Sequence, residues 1–238
     1  MEKLKEFTLL EHVEELRKRI LYSLYSTGIC SAICFVWSAE ILRLILRPFK
    51  ATFSDFDLVG LSPGEAFTIR ILLSLWSGLL TASPLVIYQV WKFIEPGLYS
   101  AEKRTLTSVF WYTIILFLAG VCFGYGILLP YSLGFFLTQF EVLQIKPTIR
   151  LSEYLSLLVR LTLASGIVFL MPVASFVMAR LGLLTAEFLK ANFRISVVII
   201  FVLSAIITPP DVFTQIILAL PMILLYFLSI VTARRGEK

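Results

Sequence analysis

The sequence predicts an all-α integral membrane protein: one domain over residues 1–238, six transmembrane helices, both termini in the cytoplasm and a short amphipathic N-terminal helix. Three observations lead to this prediction. Of the 238 residues, 58% are hydrophobic and only 16% are charged, whereas soluble proteins carry about 25% charged residues. The charges collect in short clusters that separate long apolar runs. Lysine and arginine also favour alternate loops, as membrane insertion requires.

The apolar runs are long enough to cross a bilayer. A helix needs roughly 20 apolar residues to span the hydrocarbon core, at about 1.5 Å per residue. The fifth run is short, so we expect it to thin the bilayer or to pack deep against a neighbouring helix. The predicted spans are approximately residues 20–42, 66–94, 105–136, 154–180, 193–208 and 211–232.

The basic residues orient these spans. Fourteen lysines and arginines lie in the N-terminal segment, the second and fourth loops and the C-terminal tail. Five lie in the first and third loops, and the fifth loop has none. The positive-inside rule therefore predicts that both termini are cytoplasmic. An even number of spans returns the chain to its starting side, which agrees with this topology.

Local signals indicate where helices begin and bend. Thr8 to Glu11 forms a capping box, and the helix it opens is expected to lie along the cytoplasmic interface before turning into the first span. A second capping box, Ser62 to Glu65, precedes the second span. Asp211 can cap the sixth span after a tight external turn. Prolines inside apolar runs should kink their helices; these are Pro84, Pro130, Pro172 and Pro221.

Several classes of function have no support in the sequence. There is no phosphate-binding glycine loop, no His-Glu-x-x-His motif and no Gly-x-Ser-x-Gly elbow. A single histidine, His12, makes a histidine-based metal site implausible, and no acidic pair stands within a span. The net charge of +5 reflects basic loops rather than nucleic-acid binding. We therefore expect neither enzymatic activity nor a cofactor.

Several distinctive sequence blocks follow one another from the N-terminal helix to the last span. They are His12-Val13-Glu14-Glu15-Leu16-Arg17-Lys18-Arg19, Pro48, the stretch from Ser83 to Ile94, Pro96-Gly97-Leu98-Tyr99, Glu102-Lys103-Arg104 and the stretch from Thr208 to Gln215. Together these blocks resemble the TatC family, which supplies the signal-recognising core subunit of the twin-arginine protein translocase.

The resemblance implies a receptor for twin-arginine signal peptides of folded precursor proteins. Glu15 and Glu102 match the two acidic residues that contact the signal arginines, and Arg17 and Phe93 belong to the same site. A carboxylate suits this task because a guanidinium donates two parallel hydrogen bonds to it, which lysine cannot do. The topology deduced from the charges places Glu15 and Glu102 on one side of the membrane.

The resemblance also implies an assembly in the cytoplasmic (inner) membrane that the proton-motive force drives. Thr208 and Gln215 match positions where a transmembrane helix of a single-span TatA/TatB-type partner docks. Pro48 and Asp211 match loop positions of structural or functional importance. Membrane lipid and further copies of the chain are the other expected partners.

The residues alone leave simpler interpretations open. Glu15 is spaced to form an ordinary surface ion pair with Arg19, and Glu102 could interact with a helix dipole. Arg17 could be a basic anchor, and Phe93, like Trp91, an interfacial aromatic residue. Helix capping explains Asp211 equally well.

One position departs from the pattern of the family. The family usually carries Glu or Gln in the fourth span where this chain has Leu170, which puts a proton-coupled role at that position in doubt.

The alternative function is a small-molecule or ion permease, which should show polar groups near the middle of the membrane and an inverted repeat. An intramembrane enzyme would require a catalytic pair.

Overall fold

The computed structural model describes residues 9–52, 58–94, 103–145, 148–209 and 211–237. The described residues form ten α-helices, one π-helical turn between the fourth and fifth of them, and one pair of two-residue strands. The helices are α1 (Leu9–Val36), α2 (Ser38–Thr52), α3 (Glu65–Ile94), α4 (Lys103–Phe123), α5 (Leu129–Val142), α6 (Leu151–Val168), α7 (Met171–Arg180), α8 (Ala186–Ala191), α9 (Phe193–Ile207) and α10 (Val212–Gly236).

Five helical segments are long and apolar enough to cross a membrane: His12–Val36, Glu65–Ile94, Val109–Val142, Leu151–Arg180 and Val212–Gly236. A further apolar helix, α9, which is the fifth apolar segment in chain order, has only 15 residues, which corresponds to about 22 Å of helix. This length is less than the roughly 30 Å of hydrocarbon in a typical bilayer. The fifth apolar segment is therefore short, as the sequence predicts.

The N-terminal segment differs from the prediction in two respects. The amphipathic stretch does not turn before the first span, because α1 runs without interruption from Leu9 to Val36 and contains no proline. Thr8, the predicted cap, lies outside the described residues. The helix also ends earlier than the predicted limit of residue 42. Arg70 of α3 contacts both sides of this joint, because its Nε donates to Ser38 Oγ and its Nη2 to the carbonyl of Phe35, near the end of α1.

Helices α1 and α3 pack against each other as an antiparallel pair. Gly78 on α3 makes the close approach possible, because a Cβ atom at this position would lie only 2.5 Å from Ser31 Cα and 2.6 Å from Ser31 N. Small residues allow helix backbones to approach within a membrane. Arg19 and Gln89 at one end of the pair, and Phe35 and Arg70 at the other, have side chains in contact.

The third and fourth spans are each interrupted near a proline. The π-helical turn, Gly124–Leu128, precedes Pro130, and residues 169–170 separate α6 from α7 just before Pro172. Proline causes such interruptions because it has no N–H group and clashes with the preceding turn. Helices α3 and α10 continue through Pro84 and Pro221.

At the end of the molecule that carries α2, the buried carboxylate of Glu65 links the start of α3 to the start of α6. Glu65 accepts hydrogen bonds from Ser152 Oγ at 2.5 Å and from the Leu61 N–H at 2.7 Å, and its Oε2 lies 3.6 Å from Arg150 Nη2. Beside it, the strands β1 (Leu58–Val59) and β2 (Ile149–Arg150) pair in parallel. Glu65 also accepts from the Ser62 N–H at 3.4 Å, which is one half of the predicted capping box.

The core lies where α3, α5, α6 and α10 meet. Leu73, Leu128, Leu158 and Leu218 are all almost fully buried there. In contrast, α1 and α9 lie at the periphery. Within α9 only Ile200 and Ser204 are buried, so most of its apolar side chains face outward. In a membrane protein such surfaces face lipid or another transmembrane helix.

Candidate functional site

The first candidate region lies where the N-terminal half of α1 runs beside the C-terminal end of α3. Glu15 Oε1 accepts a hydrogen bond from Arg19 Nη2 at 3.0 Å, one helical turn along α1. Arg19 Nη1 donates to Gln89 Oε1 of α3 at 3.1 Å. The side chains of Arg19 and Glu15 are 24% and 22% exposed, respectively. The ion pair is therefore partly buried and tied to a second helix.

A neighbouring ion pair on α1 has a different environment. Lys18 Nζ and Glu14 Oε1 are also 3.0 Å apart with the same spacing along the helix, but their side chains are 61% and 63% exposed. An exposed pair of this kind contributes little to stability. The predicted surface ion pair of Glu15 with Arg19 does form, and the structure adds Gln89 of α3 as its third member.

Phe93 lies beside the start of α1. Its ring stacks on that of His12, with ring centroids 4.4 Å apart and an angle of 25° between the planes. This contact and the Arg19–Gln89 hydrogen bond bring Phe93 and Glu15 to the same end of the helix pair. Arg17 lies at the same end and is exposed.

Two further predictions at this end have different outcomes. Glu102 lies outside the described residues, so its role stays a prediction. The interpretation of Trp91 as an interfacial aromatic residue is wrong, because Trp91 is only 8% exposed. Its Nε1 donates to Thr113 Oγ1 of α4 at 3.1 Å, so it packs α3 against α4.

The second candidate region joins α9 to α10. Asp211 Oδ1 accepts from the Thr214 N–H at 2.6 Å, which makes Asp211 the N-cap of α10. Thr208 Oγ1 donates to the Ser204 carbonyl at 2.7 Å, and both residues are buried. The predicted tight turn with a capping aspartate is therefore present. The other Asp211 oxygen, Oδ2, is buried and has no hydrogen-bond partner among the described residues.

Gln215 reaches from α10 to α9. Its Nε2 donates to the Phe201 carbonyl at 3.0 Å. The sequence predicts a hydrogen-bonded partner for a polar side chain inside a span, and this carbonyl is such a partner. Gln215 lies near the surface, whereas Thr208 is 3% exposed. Of the two predicted docking residues, only Gln215 has its side chain near the surface.

Pro48 and Leu170 are the remaining positions that the sequence singles out. Pro48 belongs to α2, so the predicted external loop is largely helical here. Leu170 stands at the break between α6 and α7 and packs with Val173 and Phe176 against a second apolar cluster. That cluster includes Ile87 and is distinct from the main core. This position contributes packing and no ionisable group.

Sequence reasoning missed Gln89, although it lies within one of the quoted blocks. No local signal marks it, because its partner Arg19 is 70 residues away in the chain. It also missed Arg70, whose guanidinium lies 4.6 Å from the Phe35 ring centroid at the α1–α2 joint. Among the described residues, no three histidine, cysteine or acidic side chains are placed to hold a metal ion.

These features define a multi-pass α-helical membrane protein with a charged rim at one end and no catalytic constellation in the described parts. Residues 11–221 match the profile of the family described as Sec-independent protein translocase protein (TatC). The chain belongs to the TatC family. It is accordingly a non-catalytic translocase subunit that acts with other subunits of the Tat system.

Individual relatives are similar to this chain over nearly its whole length. The TatC protein of Koribacter versatilis is 40% identical over 234 residues, which cover 96% of this chain and 86% of the relative. That of Aquifex aeolicus is 39% identical over 223 residues, covering 93% and 92%. A solved structure described as "Crystal Structure of Twin Arginine Translocase Receptor- TatC" is 38% identical, covers 95% of this chain and 99% of its own, and has a TM-score of 0.83. The findings support the translocase function and not the permease alternative.

Proposed function

We propose that this chain binds twin-arginine signal peptides of folded precursor proteins at the end of the α1–α3 pair. The proposal rests on the burial and the hydrogen bonding of the Glu15 side chain. Its carboxylate is partly buried at the rim of the membrane protein, and it already accepts a hydrogen bond from a guanidinium, that of Arg19. The site therefore has the geometry for the chemical group that distinguishes a twin-arginine signal.

Donor geometry and hydration favour arginine over lysine at this site. A guanidinium is planar and presents a fixed fork of donors, whereas an ammonium is a compact point charge with a strong hydration shell. Charge-assisted hydrogen bonds to a carboxylate are roughly twice as strong as neutral ones. Partial burial increases the effect because fewer water molecules screen the interaction.

The other predicted residues would support peptide binding in different ways. Phe93, stacked on His12, offers an aromatic face beside Glu15 for apolar residues of the signal peptide. Glu102 would receive the second arginine, and the exposed Arg17 would act as a basic anchor at the membrane surface. Both termini would lie in the cytoplasm, in an inner membrane, so that this end meets precursors before export.

We infer a second contact surface, on α9 and α10, for a transmembrane helix of a single-span TatA/TatB-type partner. Apolar side chains of α9 face outward, and Val198 and Ile206 are 63% and 70% exposed. Gln215 adds a polar group at this edge. In this proposal the proton-motive force drives transport, several copies assemble, and the short α9 leaves the adjacent lipid locally thinned.

A binding measurement tests the receptor function. The purified full chain in detergent micelles is titrated with a fluorescently labelled twin-arginine signal peptide and with its twin-lysine counterpart. The twin-arginine peptide should bind at least about tenfold more tightly, because lysine loses a bidentate contact. Equal binding of both peptides would contradict the proposal.

The matched variants are Glu15→Ala and Glu14→Ala. Both remove one carboxylate and one i, i+4 ion pair from the same helix. Glu15→Ala should weaken twin-arginine binding by about tenfold, the effect expected for a hydrogen bond to a charged group. Glu14→Ala should leave the affinity nearly unchanged. If both variants bind alike, Glu15 does not read the signal.

A further inference from the structure

We infer that Glu15 and Gln89 together form a binding cradle for one guanidinium group, and that Arg19 occupies this cradle until an arginine of the signal peptide replaces it. The inference rests on the proposed receptor function and adds two residues to it. Gln89 becomes a determinant of specificity, and Arg19 becomes an internal substitute for the ligand.

The contacts of Arg19 are those expected for a bound arginine ligand. Its two terminal nitrogens are divided between two acceptors on different helices: Nη2 donates to Glu15 Oε1 and Nη1 to Gln89 Oε1, at 3.0 and 3.1 Å. A guanidinium can bridge two such acceptors because its donors are rigidly spaced. The ammonium of lysine has no fixed fork of this kind. The pair of acceptors therefore selects for arginine.

Arg19 fills the cradle imperfectly. Its Nε is buried and has no hydrogen-bond partner among the described residues. A buried donor without a partner costs free energy that a better-placed ligand would recover. The described contacts of Glu15 also use only one of its two carboxylate oxygens. An arginine that approaches from outside α1 is free to orient its whole fork, unlike one tethered four residues away on the same helix.

The architecture keeps the two acceptors together without Arg19. The α1–α3 contact depends on Gly78 against Ser31 and on the stacking of His12 on Phe93. Neither contact involves Arg19. Release of Arg19 should therefore leave the acceptors of Glu15 and Gln89 in place. In this arrangement Arg19 lowers affinity for weak ligands and leaves the carboxylate neutralised when no signal is bound.

The decisive variant is Arg19→Ala in the full chain, with Lys18→Ala as the matched control. Each removes one positive charge and one i, i+4 ion pair from α1, but only Arg19 occupies the cradle. Arg19→Ala should bind the labelled twin-arginine peptide about threefold to tenfold more tightly, the equivalent of one modest ion pair and hydrogen bond. The twin-lysine peptide should gain much less. Lys18→Ala should change neither affinity by more than about twofold.

A second variant tests Gln89 separately. Gln89→Met keeps a side chain of similar length but removes the amide oxygen. In the Arg19→Ala background it should abolish the gain in affinity and lower the preference for arginine over lysine. A change in fold alone would weaken the binding of both peptides equally and leave the preference for arginine intact.

The outcomes separate this inference from the proposed function. If the original chain prefers the twin-arginine peptide and Glu15→Ala loses it, the receptor function stands. Weaker or unchanged binding by Arg19→Ala would then overturn the exchange and make Arg19 a residue that only orients Glu15. If neither the original chain nor Arg19→Ala prefers the twin-arginine peptide, both proposals fail. If Arg19→Ala binds the twin-arginine peptide and the original chain does not, the exchange is supported, and Arg19 blocks the cradle completely in the original chain.

Discussion

The two peripheral helices, α1 and α9, differ in what they offer at the molecular surface. Helix α1 carries acidic and basic side chains in its N-terminal turns, and its Arg19 is linked by a hydrogen bond to Gln89 of α3. Helix α9 carries one basic residue, Arg194, near its start and is otherwise apolar except for two serines. Hydrogen bonds from Gln215 to the Phe201 carbonyl and from Ser196 to Tyr226 connect it to α10. A charged, partly buried rim suits an extended peptide with arginines. An apolar edge suits a transmembrane helix.

Because the two edges are formed by different pairs of helices, damage to one edge should leave the other functional. In our proposal, peptide binding depends on the α1–α3 pair, and partner docking depends on the α9–α10 pair. The core helices α3, α6 and α10 lie between them and support both. Variants confined to one edge therefore test whether the two edges act independently.

The largest effect is expected from Gly78→Ala. The added Cβ would lie 2.2 Å from Ser31 Oγ and 2.5 Å from Ser31 Cα, so α1 must move away from α3. Such overpacking costs about 1–3 kcal/mol. Peptide titration should show a loss of signal-peptide binding, while crosslinking of a single-span partner to α9 should persist. Gly28→Ala is the control, because a Cβ there meets nothing within 4 Å.

A smaller effect is expected from Asp211→Ala at the other edge. Loss of the N-cap of α10 should lower the free energy of unfolding by about 0.5–2 kcal/mol. Thermal unfolding of the purified protein measures this change, and peptide affinity should stay the same. Asp211→Asn keeps a capping oxygen and should retain most of the stability. If Asp211→Asn is as unstable as Asp211→Ala, the charge matters more than the cap.

The smallest effect is expected from Gln215→Leu. It removes the polar group that Gln215 offers at this edge, together with its hydrogen bond to Phe201, and should weaken partner docking about twofold to threefold, since one hydrogen bond between transmembrane helices averages about 0.6 kcal/mol. Thr232→Val is the matched control, because Thr232 Oγ1 makes another interhelical hydrogen bond from α10, to the Pro172 carbonyl at 2.9 Å. Crosslinking yield of the partner helix to α9 measures docking. An equal loss in both variants would indicate general destabilisation of α10.

The sequence predicts the features that depend on composition and on local signals. Apolar runs and their lengths indicate the spans, including the short α9. The capping role of Asp211 and the interruptions near Pro130 and Pro172 follow from local backbone chemistry. Family resemblance adds Glu15 and Phe93, which the structure brings to one end of the α1–α3 pair.

Features that depend on distant pairs are not visible in the sequence. The contact of Arg70 with the end of α1 joins residues that are 35 positions apart in the chain. The close approach of α1 to α3 at Ser31 depends on Gly78, which stands in a series of small residues at four-residue spacing, Ser74, Gly78 and Ala82. This spacing marks a packing face but does not show which helix packs against it. Trp91 resembles an interfacial aromatic residue by position but is buried, because its hydrogen-bond partner Thr113 lies on the next helix.

Site-specific photocrosslinking in membranes can show whether α1 or α9 receives the signal peptide. A photoreactive residue is placed at Leu16, beside Glu15 on α1, or at Val202 on α9; these side chains are 40% and 54% exposed. A twin-arginine precursor should crosslink to position 16 and not to position 202, and the crosslink should disappear with a twin-lysine signal or with Glu15→Ala. Crosslinking of the precursor at position 202 instead, or at position 16 regardless of the arginines, would contradict the account.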